Sequence, residues 1–250
     1  MSWLCKIRRV LTFLLLVMLL APLIAVATGM AAVSSDWRTA NRDPIGIAPD
    51  PASTPEPVIQ VYGARTFGWR GALAVHTWVS AKRQDADHFV TYEVIGWYHW
   101  RGKPSVVTRT SAPDKRWFGS DPEIYAELRG PEVGAMIDRL EKEVANYPYR
   151  NDYRTWPGPN SNTFTAIMGR ALPELQLDLP PTAIGKDFIA NDEIFATSPS
   201  GTGFQISLFG VFGVMLAMEE GLEINLFGLS LGVDPLDLAV KLPGIGRLGP

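Results

Sequence analysis

The chain has 250 residues, 46% hydrophobic and 20% charged, enough apolar material for one sizeable core plus additional segments. A net charge of −3 gives no reason to expect nucleic acid as a partner, since its recognition needs a basic face. The single cysteine, Cys5, stands before the main apolar segment, which rules out an internal disulfide, a thiolate zinc site and a cysteine nucleophile in everything that follows.

Lys6, Arg8 and Arg9 precede an uncharged stretch from Val10 to Ser35 whose centre is almost wholly Leu, Val, Phe and Met. About 20 apolar residues suffice to span a bilayer as a helix. The basic cluster predicts that the N-terminal end stays in the cytoplasm and that the rest lies across the membrane. Two readings stay open for residues 1–35. One is an uncleaved transmembrane anchor. The other is a signal peptide cut near Ala27, where Ala25-Val26-Ala27 supplies small residues. The expected location is therefore a bacterial inner membrane with the main domain periplasmic or extracellular, or an exported protein.

Residues 36–57 read as a linker, because Pro44, Pro49, Pro51, Pro55 and Pro57 favour extended chain. A single domain is expected over 58–250. Strands are predicted at Val58–Arg65, Ala72–Ser80, Phe89–Trp100 and Val106–Thr110, from β-branched and aromatic enrichment and alternation. In the second, Leu73, Val75, Thr77 and Val79 share one face, and Ala74, His76 and Trp78 the other. Helices are predicted over Pro131–Asn146 and Ser161–Leu172 from apolar residues at helical spacing. Gly203–Met218 carries no charge, Glu219-Glu220-Gly221 interrupts, and Leu222–Val233 is again mostly apolar. We expect a hairpin turning at Glu219-Glu220-Gly221 with both faces buried, the alternative being a membrane-embedded helix over Phe204–Met218. The fold class is thus α+β: an antiparallel strand core with two or more helices, behind one N-terminal apolar helix.

The densest chemical signal is Trp156-Pro-Gly-Pro-Asn160-Ser161-Asn162-Thr163-Phe164, which delivers a polar cluster to a helix start. Asn160 or Ser161 can cap that helix. Ser161 can instead be a nucleophile, with the N–H groups near Ser161 and Asn162 as oxyanion donors. A serine needs a base, and His76 is the candidate. If Ala81 pairs with His88 across the loop Lys82–Asp87, His76 stands opposite Glu93, which would orient the imidazole. A structural, buried role for His76 is the competing reading. Asn160, Asn162 and Trp78 are candidate ligand contacts. Arg65, Trp69, Arg70, Trp97, Trp100, Arg101, Arg116 and Trp117 are expected mainly as core and rim, with a groove for a glycan or lipid headgroup as the alternative. No metal or cofactor motif is present.

Two resemblances follow. Val61-Tyr-Gly-Ala-Arg65-Thr-Phe-Gly-Trp69-Arg-Gly71, Ala74-Val-His76-Thr-Trp78, the Trp156–Phe164 string, Leu179-Pro-Pro-Thr-Ala-Ile-Gly-Lys-Asp187 and Lys241-Leu-Pro-Gly-Ile-Gly246 resemble a bacterial family, domain of unknown function 3750. That resemblance runs from about Val58 to the C-terminus and implies no activity. More distantly, an early-strand histidine followed by Asn160-Ser161-Asn162-Thr163-Phe164 at a helix start is similar to circularly permuted papain-like proteins, the NlpC-type peptidases and lecithin retinol acyltransferase relatives, with serine in the cysteine's place. It implies a papain-like layout and two functions. One is an envelope protein that binds a peptide, glycan or lipid without catalysis. The other is an envelope hydrolase or acyltransferase using Ser161, His76 and Glu93.

Overall fold

The computed structural model describes residues 2–29 and 38–249. Residues 30–37, which take in the end of the expected leader and the start of the expected linker, lie outside the described residues. Helix α1 covers Ser2–Ala27, and its span Cys5–Ala27 is long and apolar enough to cross a membrane. The Pro-rich stretch is tied to the domain along part of its length. The Asp114 carboxylate accepts the N–H groups of Gly46 and Ile47 at 2.6 and 2.8 Å.

Two antiparallel sheets follow. The first is built from β1 (Val58–Arg65), β2 (Val75–Lys82), β3 (Val90–Val94), β4 (Val106–Thr110) and β5 (Glu123–Arg129), in the order β4-β3-β2-β1-β5. Period-two alternation divides it into two faces. Ile59, Val61, Val75, Val79, Tyr92 and Val94 pack under helices α3 (Val133–Ala145) and α4 (Ser161–Ala171), against Ile137, Leu140, Phe164 and Met168. The opposite face carries Tyr62, Trp78, Trp117 and Phe118. The expected third strand stops at Val94, and Gly96–His99 forms a short helix, α2. A Cβ at position 96 would stand 2.4 Å from the Tyr153 ring, so close packing there overrides the β propensity of Trp97 and Tyr98.

The second sheet is an unbroken meander of β6 (Phe195–Thr197), β7 (Gly203–Leu208), β8 (Phe212–Ala217), β9 (Gly221–Leu226), β10 (Leu229–Asp234), β11 (Ala239–Leu242) and β12 (Gly246–Leu248). This corrects two expectations for the C-terminal region. Phe204–Met218 is two strands, not a helix. The segment 203–233 is four strands, not one hairpin, although Glu219-Glu220 does lie in one of its turns. The other turns use Phe209-Gly210 and Phe227-Gly228, so no polar residue marks them in the sequence. The sheet also buries only one face, and that face is polar.

Lys186, Glu223 and Lys241 are fully buried between the meander and the rest of the domain. Glu223 receives both lysines, with Lys241 Nζ at 2.9 Å. Lys241 also meets Asp178 at 2.6 Å. Burial opposes the Glu223 charge, but Lys186 and Lys241 outweigh it and hold the carboxyl below its usual range. Beside this cluster, Gln205 donates to Asp187 at 2.6 Å. Removing one member of such a buried cluster strands its partners. Glu223→Gln is therefore expected to cost about 3–5 kcal/mol in urea unfolding. Arg139→Ala, which breaks the exposed Arg139–Glu174 pair, should change it by about 0.5 kcal/mol or less.

Candidate functional site

The α4 helix starts where it does because Asn160 caps it. The Asn160 side chain accepts the N–H of Asn162 at 2.9 Å and of Thr163 at 3.1 Å, while Thr163 Oγ1 accepts the Asn160 N–H, a reciprocal capping box. Asn160 Nδ2 donates to Thr155 O and Ile184 O. Gly185, at φ +102°, lies under this cap, where a Cβ would sit 2.3 Å from Asn160 Nδ2. The helix start is then fixed to β2. Asn162 Nδ2 donates to Val75 O at 3.1 Å and Ile184 O at 2.8 Å, and Thr77 Oγ1 donates to Asn162 Oδ1 at 2.9 Å. Of the two capping candidates, Asn160 is the cap. Ser161 is left with a hydroxyl and a backbone N–H that make no hydrogen bond among the described residues.

His76 comes from the other face of the same strand. Its Nε2 lies 3.0 Å from Glu93 Oε2. The pairing that creates this contact differs from the expected one: Ala81 pairs with Val90, not His88. The register is shifted by two residues, and a two-residue shift preserves the face. Glu93 reaches His76 diagonally, a separation that long side chains cross. The imidazole lies flat on Trp117, with ring centroids 3.6 Å apart and an interplanar angle of 12°. Glu93 is buried and also receives Arg109, with Lys115 Nζ at 3.5 Å. Burial works against the Glu93 charge, but the His76 hydrogen bond and the charges of Lys115 and Arg109 bring its pKa down to about 2. Burial pushes His76 the other way, below 6.5, with Lys115 and Arg109 adding to the shift and only Glu93 opposing it. Burial disfavours the charged ring and the two cations offset the carboxylate that favours it, so the imidazole is neutral at pH 7, donating Nε2–H to Glu93 and keeping the Nδ1 lone pair.

His76 and Ser161 line one cavity of about 540 Å³. Its walls are aromatic: Phe67, Trp69, Trp97, Trp100, Tyr153 and Trp156 surround it, with Trp117 beneath His76 and Phe227 reaching in from the β9–β10 turn. Trp69, Trp100 and Trp156 are 61%, 67% and 48% exposed, so they form a wet rim. Five of the tryptophans and arginines expected mainly as core and rim, Trp69, Arg70, Trp97, Trp100 and Trp117, thus line this cavity. Trp78 does not line it; it is buried behind His76 and donates Nε1–H to Pro113 O. Asn160 and Asn162 border the cavity with their polar groups engaged in the fold, and the Asn162 N–H is taken by Asn160, which leaves only the Ser161 N–H as an oxyanion donor at this helix start. His88 and His99 are elsewhere, paired with Asp87 and Asn151 O. Sequence reasoning missed Lys115 and Arg109, which add to the effect of burial on His76, and Phe227, which no local motif marks. Among the described residues no group of three or more His, Cys, Asp or Glu side chains could hold a metal ion.

Fold and site define an α+β protein in which a strand-borne histidine, held by a buried glutamate, and a serine at a helix start line one aromatic cavity. The chain belongs to the family described as "Protein of unknown function (DUF3750)", which it matches over residues 56–188. The match contains both halves of the cavity chemistry and ends before the meander, so the Lys241–Gly246 tail is outside it. No curated protein and no solved structure matches the chain.

The depressed pKa values have opposite acid–base origins but the same sign for stability. Each group binds fewer protons folded than unfolded, so its contribution is complete at high pH. That of His76 is lost as pH falls below 6.5, and that of Glu93 as pH falls from 4.5 toward about 2. Glu93→Gln is expected to lower the unfolding free energy at pH 7 by about 2–4 kcal/mol, since it leaves Lys115 and Arg109 without their carboxylate. It should also flatten the acid limb of a stability–pH curve measured by urea unfolding.

Proposed function

We propose that the protein binds the apolar part of an amphiphilic acyl compound in this cavity and transfers or hydrolyses its acyl group, tethered by α1 to a bacterial inner membrane with the folded part outside the cytoplasm. The observation that supports this most is the polarity of the imidazole: Nε2 is committed to Glu93, and Nδ1 has no hydrogen-bond partner among the described residues, in a ring that lines the same cavity as Ser161. A neutral base with its orienting carboxylate is the arrangement that serine activation requires.

The step runs as follows. His76 Nδ1 accepts the Ser161 Oγ proton as Oγ bonds to the acyl carbon. Glu93 stabilises the imidazolium through Nε2–H. The carbonyl oxygen gains negative charge and accepts the Ser161 N–H at the positive end of α4. The imidazolium then returns its proton to the leaving oxygen or nitrogen as the acyl–leaving-group bond breaks. Water, or an acceptor alcohol or amine, removes the acyl group from Ser161 by the reverse sequence. The assignment of a strand-borne base and a helix-opening nucleophile draws on the resemblance to permuted papain-like proteins. A thiolate–imidazolium ion pair is the usual device in that layout, and serine replaces it here with general-base activation.

Two observations favour binding without catalysis: no hydrogen bond joins Ser161 Oγ to His76 among the described residues, and α4 begins on the β2 face of Thr77, opposite the face that carries His76. A fluorophosphonate probe separates the two readings. Catalysis predicts labelling of the full-length protein in detergent, lost in Ser161→Ala and reduced about 10²–10⁴-fold in His76→Ala. The labelling rate should hold at pH 7 and fall only below 6.5, as His76 gains a proton. Labelling that survives Ser161→Ala, or none at all in a protein that still takes up a fluorescent fatty acyl probe, sinks the catalytic reading.

A further inference from the structure

The meander is built with its polarity reversed. One row of directly paired residues crosses six strands, Phe204–Leu216–Leu222–Val233–Val240–Leu248, and each of the six is 41–52% exposed. The next row over, Phe195–Ile206–Val214–Ile224–Leu231, is apolar too. The alternate positions point inward, and they hold Gln205, Met215, Glu223, Gly232, Lys241 and Arg247. Thr197 is the one polar residue in the paired positions of the outer face. Turn residues extend it at its margins: Phe209, Met218, Phe227 and Leu238 are 54%, 61%, 63% and 82% exposed. A water-facing sheet buries its apolar side and exposes its polar one. This sheet does the opposite in a contiguous face that crosses six strands, the kind of exposed apolar surface that marks an interaction site.

The position of α1 indicates what covers it. The helix docks on the domain by one stripe, Met18, Ala21, Pro22 and Ala25, all buried, while Leu16, Leu19, Leu20 and Leu23 on its other sides stay exposed. Pro22 packs against the β11–β12 turn at Gly244, where a Cβ would lie 2.6 Å from Pro22 Cα. Arg65 fixes that turn by donating to Gly244 O at 2.7 Å and Ile245 O at 2.9 Å. The docked stripe begins at Met18, nine residues before the helix ends at Ala27, which is about 14 Å of helix. If α1 spans a bilayer, the meander edge that it touches lies below the level at which the helix leaves the lipid. The helix also packs on the Gly68–Ala72 turn, which carries exposed Trp69 beside Arg70, residue types suited to the headgroup layer.

We infer that the meander is a membrane-seating surface: its outer face lies in the bilayer interface beside α1, with the acyl region of the lipid as its occupant. The inward charges then have the reverse of their usual role, holding the sheet to the domain while the lipid covers the side that a soluble protein would bury. Phe227 and Leu229 belong both to this sheet and to the cavity wall, so the cavity borders on the lipid and its ligand enters from there. That last consequence rests on the acyl-transfer reading; the seating of the sheet does not.

The test uses the full chain with Cys5→Ser and one new cysteine, reconstituted in phosphatidylethanolamine–phosphatidylglycerol vesicles and labelled with an environment-sensitive dye. Leu222→Cys and Val214→Cys report the outer face, and Lys142→Cys on α3 reports a water-facing helix. Urea unfolding of each labelled protein checks that the fold is kept. Seating predicts that the dye at 214 and 222 is quenched by nitroxide-bearing lipids several-fold more than at 142, and by aqueous iodide several-fold less. Iodide quenching at 222 equal to that at 142 overturns the proposal, whatever α1 does. So does protection from both quenchers with cross-linking between copies at 222, which assigns the face to a second copy of the chain. Neither result bears on Ser161 labelling, so the two readings fail separately.

Discussion

The buried Glu223 carboxylate, held between Lys186 and Lys241, is the constraint on which the C-terminal half depends. A charge of this kind is tolerated only when its partners are in contact and water is excluded. Meeting that condition forces β9 and β11 to turn their polar positions toward the domain. Period-two alternation then turns Leu222, Ile224 and Val240 outward, whatever their hydrophobicity. One buried cluster therefore decides the orientation of seven strands and produces the exposed apolar face.

The same cluster reaches toward the cavity. Lys186 and Asp187 end a loop whose Gly185 lies under the Asn160 cap and whose Ile184 carbonyl holds both Asn160 and Asn162. The start of α4, and so the position of Ser161, is thereby joined to the meander through four consecutive residues. The opposite wall depends on a different device, the packing of His76 on Trp117 and the compensation of Glu93 by Arg109 and Lys115. Two independently stabilised pieces meet at the cavity, each held by its own buried hydrogen bonds or ion pairs.

Local signals identified much of this. The strands β1 and β4, both long helices, and the faces of β2 could be read from alternation and helical spacing, because those patterns report burial on one side. The capping residue and the helix start at Ser161 were readable from a short run of polar residues after prolines. The His76–Glu93 partnership was reached through a register two residues out, and survived because a shift of two leaves the face unchanged. The aromatic cavity was readable only as the alternative to a core and rim. Its walls come from segments as distant as Trp69, Trp156 and Phe227, and aromatic residues have the same local signature in a core as around a ligand.

Taken alone, the amino-acid sequence determined the apolar N-terminal helix, the α+β class, and the two segments that bear His76 and Ser161. These are properties of composition, periodicity and local turn chemistry, which act over a few residues. The tertiary structure decided that the two segments border one cavity, that His76 stays neutral beside two cations, and that the C-terminal strands face their apolar side outward. Each of these depends on charges and rings brought together from far apart in the chain, where burial changes the energy of a group that sequence alone leaves in water.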